Sequence, residues 1–245
     1  MLIKRKREHR ESIIEPGYCG GVTKQDKFEH LSHKIINKVK PVLRPAYRSF
    51  RHFIIFIICM LRPDYKGIIY VNPLEIERTV NLYDSTLKRN NMWHFGSVDD
   101  GDWDLGGAPI KEYGYIYPIL KQRTEHRLDY SAIPEFMENL ALISKGEKPD
   151  NCGSEKQYKE KWGRIEKIFN HLKREGYKSQ KELKSGYPFN EIRVQVGRQG
   201  DLFFEEGIHR LVISQLLRFE KIPVLVTRRH NLWVKEKGKK IYKRG

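Results

Sequence analysis

The sequence predicts an α/β fold of the α+β kind, a small mixed sheet packed with helices, and three observations within residues 190–233 carry that expectation. First, Ile192, Val194 and Val196 alternate with Arg193, Gln195 and Gly197, the period-two pattern of a half-buried strand. Arg198-Gln199-Gly200-Asp201 then turns the chain into Leu202-Phe203-Phe204, so the pair reads as a hairpin. Second, the period changes at Ile208: Ile208, Leu211, Val212, Leu216 and Phe219 gather on one face of a helix. Third, the helix stops before Pro223, which opens a strand over residues 224–227.

Gly207 falls at the entrance of that helix, with His209 and Arg210 in its first turn. A first turn presents backbone N–H groups and the positive end of the helix dipole, so a glycine followed by a His and an Arg suits an anion such as a phosphate. Two solvated polar residues at an ordinary helix start are the plain alternative.

Hairpin, Glu206-Gly207-Ile208-His209-Arg210, apolar helix and then Ile222-Pro223-Val224 resemble the superfamily that joins the ParB N-terminal domain to sulfiredoxin and its free-standing serine kinase relatives. The five-residue motif is similar to the D-G-H-H-R of those kinases, the G-G-C-H-R of sulfiredoxin and the G-E-R-R of ParB. The resemblance implies a site for nucleotide phosphates at residues 206–210, with ATP, ADP or CTP and Mg²⁺ as the expected cofactors. It also implies a phosphotransferase or nucleotide hydrolase, if an enzyme at all. Sulfiredoxin chemistry needs a cysteine where this chain has Ile208, so that activity is not carried over. In the kinase relatives a glutamate just after the first strand is the catalytic base. The apolar run from Gly67 to Val71 before Pro73 is the matching strand here, which makes Glu75 the nearest counterpart and Glu77 the next. Surface glutamates starting a helix are the bland reading of both. On this resemblance residues 1–62 form a basic N-terminal region, 63–234 the domain with an insertion at about 73–160, and 235–245 a basic tail.

Along the chain, a helix is expected over residues 24–39, broken by Pro41 and Pro45. The most apolar run, residues 53–61, would cover only about 14 Å as a helix against the roughly 30 Å of a bilayer core, so it does not span a membrane. It is either a buried core segment or an interfacial anchor whose basic flank faces anionic lipid. Further on, Asp99, Asp100, Asp102 and Asp104 crowd into six residues. Asp100, Asp102 and Asp104 imitate the start of a calcium-binding hand, but Lys111 occupies the place of the bidentate glutamate, which rejects it. Asp100 and Asp102 instead suit Mg²⁺ beside a nucleotide phosphate, because that ion takes one or two carboxylates together with phosphate oxygens. A solvated acidic turn anchored by Trp103 is the alternative. Residues 133–143 and 155–175 read as helices, the second with Trp162, Ile165, Ile168, Phe169 and Leu172 at helical spacing and Gly176 at its end.

The formal charge of +16 is unevenly distributed. Residues 1–52 hold 13 Lys and Arg against 5 acids, and residues 228–245 hold 8 against 1, so the middle of the chain keeps only about +1. Basic ends attract polyanions, which admits a nucleic-acid-binding module using Arg228, Arg229, His230, Trp233 and the lysines after them, or an anionic membrane surface. Cys19, Cys59 and Cys152 lie far apart with no metal-ligand spacing, which fits a reducing, cytoplasmic compartment, with peripheral membrane association as the alternative. Nothing in the sequence fixes the oligomeric state.

Overall fold

The computed structural model describes residues 46, 49–50, 53–57, 61, 67–80, 95–184 and 189–242. All but residue 46 belong to a unit running from residue 48 to residue 245. The helix expected over residues 24–39 lies outside the described residues. The architecture is mixed α/β, built on a six-stranded sheet.

The strands are β1 (Ile68–Val71), β2 (Arg78–Thr79), β3 (Ser97–Asp99), β4 (Ile192–Val196), β5 (Leu202–Glu206) and β6 (Ile222–His230). The helices are α1 (Ile116–Glu125), α2 (Pro134–Ser144), α3 (Glu155–Glu175), α4 (Ile208–Leu216) and α5 (Asn231–Tyr242). Strand order is β1-β6-β4-β5-β2, with β3 also on β6. β6 is the organising strand: its first half takes β1 antiparallel, its last residues take β3 parallel, and β4 runs parallel along its other side. β4 and β5 form the antiparallel hairpin, and the short β2 lies parallel to β5 at the far edge.

One sheet face and the helices share a single core. Ile192, Val194, Val196, Phe204, Ile222, Val224 and Val226 pack there against Ile116, Ile119 and Leu120 of α1, Phe136 of α2, and Trp162, Ile165 and Phe169 of α3. α3 has the bounds expected of it. Ser154 caps its start by accepting from the Gln157 N–H, its buried residues form one stripe, and Gly176 ends it at φ 72°. The segment read as an insertion therefore supplies ten of the 24 buried residues of that core and is not an appendage.

The opposite face corrects the reading of β4 as half-buried. All five of its residues are buried, because the polar alternates are covered and paired. Arg193 makes ion pairs with Glu205 and Glu206 and lies 5.4 Å from the Phe95 ring centroid; Gln195 donates to Glu205. A buried cation on a strand survives only with such partners.

Four further elements differ from expectation. α4 ends at Leu216, short of Phe219, as Arg218 turns to φ 55°. β6 continues to His230, three residues beyond the expected end, because β3 extends the pairing surface. Residues 231–242, read largely as a tail, are the helix α5. α1 was not anticipated: its buried set is only Ile116, Ile119 and Leu120, and Pro118 in its first turn masks the pattern. Among the described residues no helix is long and apolar enough to cross a membrane.

Candidate functional site

The entrance to α4 is shaped by close packing against β4. Gly207 adopts φ 103°, and a Cβ there would sit 3.3 Å from the Ile192 Cα, so the glycine is required by backbone conformation and by the strand beneath it. That differs from the expected role of admitting a ligand. Ile208 packs on the core, and no side chain caps the helix.

His209 and Arg210 leave this turn toward different surroundings. The His209 ring is largely buried, and its Nε2 has no hydrogen-bond partner among the described residues. Burial draws its pKa down to about 4, the charge on Lys161 pushes the same way, and Asp150 opposes them. His209 is thus a neutral imidazole near the Lys161–Asp150 ion pair of 3.1 Å, not a cation offered to an anion. Arg210 instead donates from Nη1 to the Asn190 carbonyl at 2.8 Å and lies 3.8 Å from Glu191 Oε2. Burial raises the Glu191 carboxyl above its ordinary range, offset in part by the Gln180 N–H, Arg210 and Tyr177. The Gln180 N–H meets Glu191 Oε1 at 2.6 Å.

Arg210 opens onto a cleft of about 280 Å³ between α3, the segment after it and the start of α4. Lys167, His171, Lys178 and Arg210 supply its basic side chains, and Ile168, Leu172, Tyr177 and Leu183 its apolar ones. No acidic side chain lines it. Lys167 and His171, one turn apart on α3, face away from the aromatic stripe. Their i, i+4 spacing was the available signal in the sequence, obscured by the more conspicuous Trp162 series. Glu191 and Tyr177 gave no local signal, since their roles follow from what the fold folds over them.

The other candidates lie elsewhere. Glu206 is exposed and ion-paired with Arg193. Glu75 and Glu77 are exposed beside the last turn of α4, where Gln215 donates at 2.9 Å to the Pro73 and Ile76 carbonyls. This places both glutamates at the opposite end of α4 from Arg210. The acidic loop is further away still. Arg198, in the β4–β5 turn, holds Asp102 at 2.8 Å and Asp104 at 2.7 Å, whereas Gly207 follows the other end of β5. Five residues of strand separate these ends by about 17 Å. Asp100 accepts from Asn231 at 3.0 Å. Asp100 and Asp102 therefore do not fit a Mg²⁺ site beside a phosphate on Arg210, and among the described residues no group of three or more metal-ligating side chains assembles.

The residues suggested for nucleic acid are also engaged internally. Arg228 is buried, 2.7 Å from Asp99 and 4.4 Å from the Trp103 ring centroid. His230 stacks on Trp103, donates from Nε2 to the Gly101 carbonyl at 2.8 Å, and accepts from the Leu232 N–H at Nδ1. Trp233 packs on the core beneath Lys237, 4.3 Å from its ring centroid. In comparisons with known proteins, no family model, no curated protein and no solved structure matches the chain.

Proposed function

We propose that this protein binds a nucleotide through its phosphates at the Arg210 cleft, on a scaffold of the ParB/sulfiredoxin-like type. The observation that carries the reading is that Arg210, from the Glu206-Gly207-Ile208-His209-Arg210 motif, lines a largely apolar cleft together with Lys167, His171 and Lys178 and with no acidic side chain. A planar guanidinium oriented by the Asn190 carbonyl and the Glu191 carboxylate is preset to pair with phosphate oxygens, and the apolar side chains offer a surface to a base. The cavity lies just below the roughly 300–1,000 Å³ that ligand pockets occupy, so part of the nucleotide remains in solvent.

The proposal is for binding, not phosphoryl transfer. Glu75 and Glu77 are remote from the cleft, and the acidic loop is committed to Arg198, so this geometry assigns neither a base nor a metal. Calorimetric titration with ATP, ADP, CTP and inorganic phosphate tests it. We expect Arg210→Ala to weaken binding at least about tenfold, roughly 1.4 kcal/mol. Equal affinities for the two proteins, or no binding by either, overturn the reading.

A second reading, contact with nucleic acid, rests on the exposed Lys235 and Lys237 of α5. It predicts an affinity that falls steeply with salt and is lost on removal of residues 235–245.

A further inference from the structure

A different surface concerns the apolar run near the start of the described chain. Residues 53–57 are helical, and Phe50 is helical as well. Ile55 is only 1% exposed and packs with Phe95 and Leu225, a small cluster on the sheet face opposite the main core. The helix has thereby already used a residue to dock on the body of the protein. Phe50, Phe53 and Phe56 recur at intervals of three and are 53%, 58% and 49% exposed. With about 100° per residue, Phe53 lies about 160° round the helix from Ile55 and Phe56 about 100°, so Phe53 faces away from the docked side and Phe56 flanks it. Single exposed apolar residues are ordinary, but three half-exposed phenyl rings within seven residues make an apolar strip of the chain.

The charge of the chain says what covers such a strip. Residues 1–52 carry 13 Lys and Arg against 5 acids, whereas the middle of the chain is nearly neutral. The strip therefore adjoins in sequence the largest excess of positive charge in the protein. Aromatic side chains that enter the headgroup region, with basic residues drawn to anionic lipid, are the two components of interfacial attachment. We propose that Phe50, Phe53 and Phe56 form a docking face for an anionic lipid surface, with Ile55 holding the helix to the protein. The inference asks nothing of the Arg210 cleft.

The test is co-sedimentation of the full chain with vesicles of phosphatidylcholine and phosphatidylserine, alongside vesicles of phosphatidylcholine alone. Wild type is expected to pellet with the anionic vesicles and several-fold less with the neutral ones. Replacing the rings together (Phe50→Ser, Phe53→Ser, Phe56→Ser) is expected to lower the bound fraction at least about fivefold, because the apolar contribution is lost while the basic residues remain. The melting temperature of the triple variant should stay close to wild type, as the replaced rings are half-exposed; Phe53→Ser alone provides a milder variant if it does not. Absence of pelleting by wild type overturns the proposal. So does undiminished pelleting of both variants, which would assign attachment to the basic residues alone. A wild-type dimer by light scattering that the triple variant abolishes, without lipid binding, would assign the face to a second copy of the chain and equally overturn it.

Discussion

The two ends of the β4–β5 hairpin each bring an arginine to a buried carboxylate, and they do different things with it. At the turn, Arg198 bonds both oxygens of Asp104, a carboxylate of Asp102 and the Gly101 carbonyl, while its own N–H reaches Asp104 at 2.7 Å. Burial alone would raise the Asp104 carboxyl, but the Arg198 hydrogen bonds outweigh it and hold the group below its ordinary range. At the other end, Arg210 makes one short bond to a carbonyl and stays 3.8 Å from Glu191, itself pushed up by burial. The first arrangement satisfies the cation and is a structural clasp. The second is looser, one carbonyl bond and an ion pair at 3.8 Å, and its guanidinium lines a largely apolar cleft, the arrangement on which the proposed anion binding rests. The same pair of residue types is thus read by its completeness of pairing, not by its presence.

The comparison breaks first at the clasp. Asp104→Ala removes the acceptor of the Arg198 backbone and side-chain donors inside a buried site, and should cost about 3 kcal/mol in chemical denaturation. Nucleotide affinity of the folded protein should be unchanged; a loss of affinity would mean the two ends are coupled.

Next comes pH. The His209 pKa is about 4 in the folded protein against an ordinary 6.5, so the unfolded chain binds more protons between those values. Its contribution is therefore present above pH 6.5 and lost as pH falls toward 4, by up to about 3 kcal/mol. His209→Gln should flatten this acid limb in denaturation curves recorded across pH 4 to 7, while leaving binding at the Arg210 cleft within about twofold. A large loss of affinity in that variant would return His209 to the site.

A smaller effect sharpens the recognition end. Glu191 competes for Arg210 from beneath, so Glu191→Gln should tighten binding of an anion by about threefold to tenfold, or roughly 0.7–1.4 kcal/mol, by calorimetry. Weakened binding would instead make Glu191 the residue that positions Arg210. The least effect is expected from Lys178→Ala. Its ion pair with Glu175 is solvent-exposed, so stability should change by less than about 0.5 kcal/mol. Any weakening of nucleotide binding in that variant then reports a contact in the cleft directly.

The sequence by itself determined the local architecture where one period dominates. The alternation of Ile192, Val194 and Val196 and the helical stripe of α3 with Ser154 and Gly176 at its ends are short-range features, set by steric limits and by which face meets the core. What only the tertiary structure decided is the partner of each charge. The carboxylate of Asp104 is held by an arginine 94 positions away, and His209 and Arg210, adjacent in sequence, meet separate environments because a helix turns by about 100° per residue. Burial raises the cost of an unpaired charge, and the residue that relieves it comes from whichever strand or loop the topology brings near. For that reason the acidic loop, which in sequence admits either a metal site or a solvated turn, serves as a clasp in the fold.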